Sequence, residues 1–187
     1  MARPRVRNRI LEAAHELFTS DGAAALTTRA VAERAGVTEA SVFNNFGDKT
    51  GLVQALIRET LPQLRELMGS IQSEPETLEQ WFELLYLAAI NYFLVILPLT
   101  APSLQQPPGK IAPNQAKGFY TPRLAISERL KTFQQFGLCP ADVDTSLVAK
   151  VLMGTAMHTA TTRITLNDSS ESETLSGRKL AASLGLL

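Results

Sequence analysis

Between Leu26 and Thr50 the sequence LTTRAVAERAGVTEASVFNNFGDKT leaves the backbone few options. Thr27 is suited to cap a short helix, because its hydroxyl can accept a hydrogen bond from the first free backbone N–H groups. Val31, Ala32 and Ala35 then recur at helical spacing. Gly36 supplies a sharp stop, since a residue without Cβ tolerates the left-handed backbone of a tight turn. Thr38 can cap a second helix two residues later, running to about Asn45. Helices joined by so short a turn cross steeply, so the pattern predicts a helix-turn-helix. The second helix would expose Glu39, Ser41, Asn44 and Asn45, short hydrogen-bonding side chains that suit base edges and phosphates in a major groove.

Charge has to act locally in this chain. Among 187 residues, 18 Lys and Arg balance 18 Asp and Glu, so there is no global field to draw it to a polyanion. The opening residues are the exception, with Arg3, Arg5, Arg7 and Arg9 and no acid among them. They read either as a mobile basic arm that follows a phosphate backbone or minor groove, or as a frayed, solvated terminus. A single cysteine, Cys139, excludes an internal disulfide and fits a reducing cytosol as plain packing. Glu12, His15 and Glu16 follow the basic start, so it is not read as a secretory leader. No enzyme is expected: His15 and His158 lie far apart, and no Gly-rich phosphate loop or G-x-S-x-G elbow occurs. Neither a metal nor a cofactor is implied.

Periodicity predicts roughly nine helices and no strand, an all-α protein. The first helix spans about Arg5 to Ser20, with Ile10, Leu11, Ala14, Leu17 and Phe18 on its buried stripe and Gly22 beyond its end. A long fourth helix is expected from Asp48, its N-cap, to about Met68. Lys49 at its first position opposes the helix dipole, which favours a phosphate contact there. Pro62 lies inside it, and a kink is favoured over a break because Leu64, Leu67 and Met68 resume the period. Ser73 and Glu76 form a capping box for a fifth helix ending near Leu97. Leu84 to Ala101 carries no charge, but Asn91, Pro98 and the missing basic flanks favour a buried helix of a soluble domain over a membrane span. Prolines and glycines from Pro98 to Pro122 predict an irregular connection. Thr121 then caps a helix to about Phe136, another runs from Pro140 to Leu166, and Ser170 with Glu173 opens the last, to about Leu184.

The pieces ILEAAHELF, Gly22, LTTRAVAERAGV, SVFNNF and DKTGLV, in that order, resemble the N-terminal domain of TetR-type transcription regulators over the first third of the chain. Phe43 stands where that family usually has Tyr, and Asn45 where it often has His. The resemblance implies a three-helix helix-turn-helix DNA-binding domain over residues 1–50 and a helical effector-binding and dimerisation domain over 51–187. It implies a cytoplasmic repressor with a double-stranded DNA operator, a small-molecule effector and no membrane as partners. Thr28, Thr38, Lys49 and the arginine arm would hold phosphates. Arg29, Glu39, Ser41, Asn44 and Asn45 would read sequence, with Phe43 against a sugar or thymine methyl. The family pairs its last two helices across a homodimer, which here nominates Leu147, Val151, Gly154, Ala160, Leu180 and Leu184. Two recognition helices about 34 Å apart would then read a palindrome.

Aromatic residues mark the candidate sensor. Trp81, Leu85 and Tyr92 share one face of the fifth helix and Tyr86 lies on another, with Phe133 and Met153 contributed by later helices. Asn91, Tyr92 and His158 are the expected polar handles for a small hydrophobic or aromatic effector. Each also reads as an ordinary core residue. The expected coupling is a swing of the fourth helix about Pro62. The alternative is a constitutive helix-turn-helix module, binding DNA or protein without an effector.

Overall fold

Capping side chains fix where the second, third and fourth helices begin. In the computed structural model, which describes residues 3–104, 113–166 and 176–186, α1 spans Arg3–Asp21 and stops at Gly22, where φ is 79°. After one 3₁₀ turn, Ala23–Ala25, α2 spans Thr28–Ala35. The Thr27 hydroxyl accepts from the Ala30 N–H at 3.0 Å, and Gly36 ends the helix in the left-handed region at φ 61°. α3 spans Glu39–Phe46, with Thr38 accepting from the Ser41 N–H at 3.3 Å. α4 spans Lys49–Glu59, and Asp48 accepts from the Gly51 N–H at 2.7 Å. Each such cap contributes about 1 kcal/mol and fixes where its helix begins. Ile10, Leu11, Ala14 and Leu17 of α1 are buried together with Leu26, Val31, Val42, Leu52 and Leu56, so α2, α3 and α4 all pack on α1.

Two of the opening arginines are tied into the fold. α1 begins at Arg3, and Arg7 and Arg9 find partners far along the chain. Arg7 forks onto both carboxylate oxygens of Glu59, at 2.5 and 2.8 Å, while its guanidinium lies 5.1 Å from the Phe46 ring centre. Arg9 donates to the carbonyls of Ala35 (2.6 Å) and Gly36 (3.1 Å), where the C-terminus of α2 offers unpaired acceptors and a dipole that favours a cation.

The hydrogen bonds from Arg7, and then its charge, hold the Glu59 carboxyl below its ordinary value of 4.5 against the opposing effect of partial burial. A carboxyl depressed by folding adds stability above its unfolded value and loses it as pH falls through the folded one. With the two side chains 33% and 40% exposed, solvent screens the pair, so it is worth under about 1 kcal/mol. Glu59→Gln should therefore cost that much at pH 7, and the gap to wild type should close as pH falls below about 4.5. Denaturant midpoints at pH 7 and pH 3 measure it, and a gap that persisted at pH 3 would contradict the linkage.

Gly51 has a steric role that its position inside α4 conceals. A Cβ there would run into the carbonyl oxygen of Phe46 and lie 3.2 Å from its carbon, so the α3–α4 corner closes only around a glycine. Gly51→Ala improves helix propensity by about 1 kcal/mol, yet it should destabilise by a net amount on the order of 1–3 kcal/mol, because backbone has to shift. A raised denaturant midpoint would show that the corner relaxes freely.

Pro62 breaks the chain instead of kinking it. α4 ends at Glu59, Thr60 caps it, and α5 starts afresh at Pro62, spanning Pro62–Gln72. Proline lacks an N–H and fixes φ, so the first turn of a helix accommodates it better than an interior. The swing about a Pro62 kink therefore has no continuous helix to act through.

By contrast, other prolines lie within helices. α6 spans Leu78–Leu104 and passes through Pro98 and Pro102, and α7 spans Pro113–Gln135 and passes through Pro122. The expected irregular connection is thus mostly helix among its described residues. Around Pro98, Ile96, Leu99 and Thr100 are buried, and their packing offsets the lost backbone hydrogen bond. α6 is opened by Thr77, whose hydroxyl accepts from the Gln80 N–H at 3.2 Å. Ser73, the expected cap, instead donates to the Ser70 carbonyl at 2.8 Å. α8 spans Thr145–Leu166, capped by Asp144, and α9 spans Gly177–Ser183, capped by Ser176. The Ser170–Glu173 capping box lies outside the described residues. The described residues form nine α-helices and no strand.

Two compact units result, Met1–Pro62 with Pro98–Gln115 and Gln63–Leu97 with Ala116–Leu187. In the second, Trp81 is the central side chain. Its ring meets Phe82 and Phe133 edge-on at 5.4 and 5.1 Å, and its indole N–H donates to the Ile71 carbonyl at 3.3 Å. Gly177 lets α9 lie directly on the backbone of Phe82 and Glu83, where a Cβ would approach Glu83 Cα to 2.7 Å. Among the described residues α6 is the one helix long and apolar enough to cross a bilayer, with mean hydropathy 2.0 over its most apolar 18 residues within Leu78–Pro102. Its Trp81, Phe82, Leu85, Tyr86 and Ala89 side is buried, whereas Leu84 and Leu87 are about half exposed, so it is not enclosed all round.

Candidate nucleic-acid interface

The first turns of α2 and α3 meet at the surface of the N-terminal unit. Thr28, the first residue of α2, donates its hydroxyl hydrogen bond to the carboxylate of Glu39, the first residue of α3. Thr38 and Ser41 share a hydroxyl–hydroxyl hydrogen bond of 2.9 Å at the same corner. Arg29, Thr38, Glu39, Phe43 and Asn44 are exposed, and Thr28, Ser41, Asn45 and Lys49 are half-buried. All nine sequence-nominated residues thus lie on α2, α3 or the starts of these helices and of α4.

Their side chains are not equally available. Asn45 donates to the Ser41 carbonyl one turn back, at 2.7 Å, and Arg29 pairs with Glu33 along α2 at 3.1 Å. Asn44 and Lys49 have no partner among the described residues. The two asparagines therefore divide: Asn44 presents its whole amide, while Asn45 keeps only its carbonyl oxygen and one N–H. Phe43 is 47% exposed, an apolar ring standing out of an otherwise polar face. A helix that carries free amide, carboxylate and aromatic groups, on a framework whose own backbone ends are capped, can make base-edge contacts without first breaking its fold.

In the second unit the expected effector residues separate into two groups. Trp81, Leu85, Tyr86, Tyr92, Phe133 and Met153 are buried. Asn91 and His158 are exposed, which corrects their reading as interior handles. The core side of α6 is set by Trp81, Leu85, Tyr86 and Ala89, and Asn91 falls on the opposite side; His158 likewise lies opposite Leu152 and Ala156 on α8. Polar groups that do lie inside were missed in the sequence. The Tyr86 and Thr159 hydroxyls bond at 3.0 Å, as do those of Ser127 and Thr145. Threonine and serine at helical spacing carry little signal of burial, so only Tyr86 stood out. Burial pushes the Tyr92 hydroxyl up to about 12, and the phenol remains a neutral donor. Burial also raises the Cys139 thiol, in keeping with packing.

An open groove of about 520 Å³ is lined by Thr77, Glu79, Gln80, Glu83, Ser176 and Arg178. Its charges satisfy each other: Arg178 pairs with Glu79 through its side chain and with Glu83 through its backbone N–H. No group of three metal-ligating side chains occurs among the described residues.

The dimer-interface nominations also divide. Leu147 is 53% exposed, Gly154 is exposed with nothing within 4 Å of its Cβ position, and Val151 and Leu184 are half-buried. Ala160 and Leu180 are buried within their own chain and leave the candidate interface. They sit on the core sides of α8 and α9, because small and apolar residues at helical spacing serve an intrachain core equally well. Met157 and Ile164 join the exposed face of α8 instead.

Residues 10–56 match the family model described as bacterial regulatory proteins, tetR family. The chain is similar to the HTH-type transcriptional regulator YvkB of Bacillus subtilis, at 49% identity over 68 residues, 36% of this chain and 34% of that protein. The matched part thus spans about a third of that relative's length. It is also similar to the HTH-type transcriptional regulator UidR of Escherichia coli, at 22% identity over 151 residues, covering 79% of this chain and 76% of the other. Among solved structures, Salmonella enterica GusR superposes with a TM-score of 0.64 at 20% identity, covering 96% of this chain and 91% of GusR. That last likeness is one of fold.

Proposed function

We propose that this chain, a transcription regulator belonging to the tetR family of bacterial regulatory proteins, is a ligand-responsive repressor that binds a palindromic operator as a homodimer in the cytoplasm. DNA binding belongs to the unit that holds α1–α4, and effector binding and dimerisation to the unit that holds Trp81 and α8. The observation that carries the reading is the surface of α3: its Glu39, Phe43 and Asn44 stand exposed on a helix capped at Thr38 and packed on α1. Lys49, without a partner among the described residues, and Thr38 supply phosphate contacts beside it. Dimerisation is supported by the exposed face of α8, where Leu147, Val151, Gly154, Met157 and Ile164 share one side of the helix. A second copy would cover that apolar stripe and place two α3 helices on successive major grooves.

The effector would be small and hydrophobic or aromatic, held among Trp81, Leu85, Phe133 and Met153 and oriented by the Tyr86–Thr159 hydroxyl pair. A ligand shifts DNA affinity only through a difference in its affinity for the two arrangements of the protein. The test is selection of bound sequences from random duplex DNA, followed by a screen for small molecules that release the selected site. A palindromic sequence, released by aromatic or hydrophobic compounds, is the expected result. An enriched operator that no compound released would leave a constitutive DNA-binding protein in its place.

A further inference from the structure

We infer that Glu39 reads a cytosine in each half-site and that Thr28 is the positioning residue that holds it for this task. The inference rests on the DNA-binding reading above and assigns a base to one side chain of that interface. Four observations carry it. Glu39 is the first residue of α3, the end from which a recognition helix reaches base edges. It is exposed, so its carboxylate can approach a groove without moving the core. One oxygen, Oε1, accepts from the Thr28 hydroxyl on the neighbouring helix, and among the described residues Oε2 has no partner. It is also the one acid on α3, a helix that offers DNA no Lys or Arg.

A carboxylate that faces DNA is costly, because phosphates repel it, so at a reading position it needs a specific donor to offset that cost. In the major groove cytosine presents only a donor, its N4 amino group. Guanine presents N7 and O6 acceptors, and thymine an O4 acceptor; both repel a carboxylate. Adenine offers a donor beside an acceptor. The pairing favoured by a free carboxylate oxygen is therefore the cytosine amino group. The Thr28 hydroxyl reinforces the choice by fixing a side chain that otherwise turns through three torsions, so that Oε2 points outward in one direction. In this arrangement Thr28 acts through Glu39 and not as the phosphate ligand its position at the start of α2 suggested.

The experiment is selection from random duplex DNA with the full chain, in parallel for wild type, Glu39→Gln, Thr28→Val and Thr28→Ser. Wild type should enrich a symmetric site with one C·G pair per half-site whose replacement weakens binding about tenfold or more. In Glu39→Gln that preference should vanish while every other position keeps its own, and affinity for unrelated duplex should rise because a negative charge has gone. Thr28→Val should weaken the same position several-fold with the rest intact, and Thr28→Ser should restore it. An unchanged motif in Glu39→Gln would overturn the inference alone. So would a uniform loss of affinity across all positions, since that marks a structural brace. Thr28→Val leaves α3 untouched, so it decides the matter even where Glu39→Gln disturbs the helix start. Failure of wild type to enrich any sequence would instead overturn the DNA-binding reading, and this inference with it.

Discussion

A Leu147→Glu, Met157→Glu double variant is expected to sediment as a monomer and to lose operator affinity by about two orders of magnitude or more. The size follows from multivalency: once one half-site is engaged, the second binds at an effective concentration that raises avidity by about 10²–10⁴. Separated subunits forfeit that gain. Both side chains stand on the exposed face of α8, at 53% and 44% exposure, so charge placed there should leave each monomer folded. In a dimer the same charges would be buried unpaired, at several kcal/mol by order of magnitude. Gly154→Leu provides a second route, because nothing lies within 4 Å of its Cβ position and the larger side chain would act only against a partner. Sedimentation velocity and operator titration read both effects. A double variant that stayed dimeric with unchanged affinity would place the interface elsewhere on the chain.

The legible part of this chain was the part decided by near neighbours. Thr27, Gly36, Thr38 and Asp48 were read as caps and stops, and all four act so, because a cap involves residues within one turn of each other. Arg7, Arg9, Thr28 and Glu39 were named, but their partners were not. Arg7 meets a residue 52 positions away and Arg9 one 26 away, and no local pattern encodes such meetings. The prolines show the same limit from the other side. Pro62 is expected inside a helix and starts one; Pro98 and Pro102 are expected to break helices and lie within one, and Pro122, expected to open a helix after Thr121, lies inside α7. A proline costs about 3 kcal/mol in a helix interior, which packing of the flanking residues can offset. The deciding term is tertiary, so the residue alone does not fix the outcome. Asn91 and His158 erred differently. Their faces could have been read from helical phase against Trp81, Leu85 and Ala89 on α6 and Leu152 and Ala156 on α8.

Trp81→Ala is expected to destabilise the second unit by about 3–5 kcal/mol, the range for deleting a large aromatic side chain from a core. Trp81 is fully buried, it fills the space between Phe82 and Phe133, and its N–H satisfies the Ile71 carbonyl at the end of α5. Its removal therefore creates a cavity, abolishes two edge-on ring contacts and leaves a buried carbonyl unpaired. Trp81→Phe keeps an aromatic ring and loses chiefly the hydrogen bond and part of the volume, so about 1–3 kcal/mol is expected. The order of the two variants separates packing from hydrogen bonding. Because the chain has one Trp, its fluorescence in wild type reports the second unit alone, and the variants must be followed by far-UV circular dichroism. In Trp81→Ala the denaturation profile should split, with part of the helical signal lost early and the capped α1–α4 unit unfolding near its wild-type midpoint. If Trp81→Ala unfolded within about 1 kcal/mol of wild type, Trp81 would lie in a loosely packed site and not at the centre of its core. The same ring is the probe for the proposed effector. A ligand seated among Trp81, Leu85 and Phe133 should change the wild-type emission at the concentrations that release DNA, and a releasing ligand that left it unchanged would bind elsewhere.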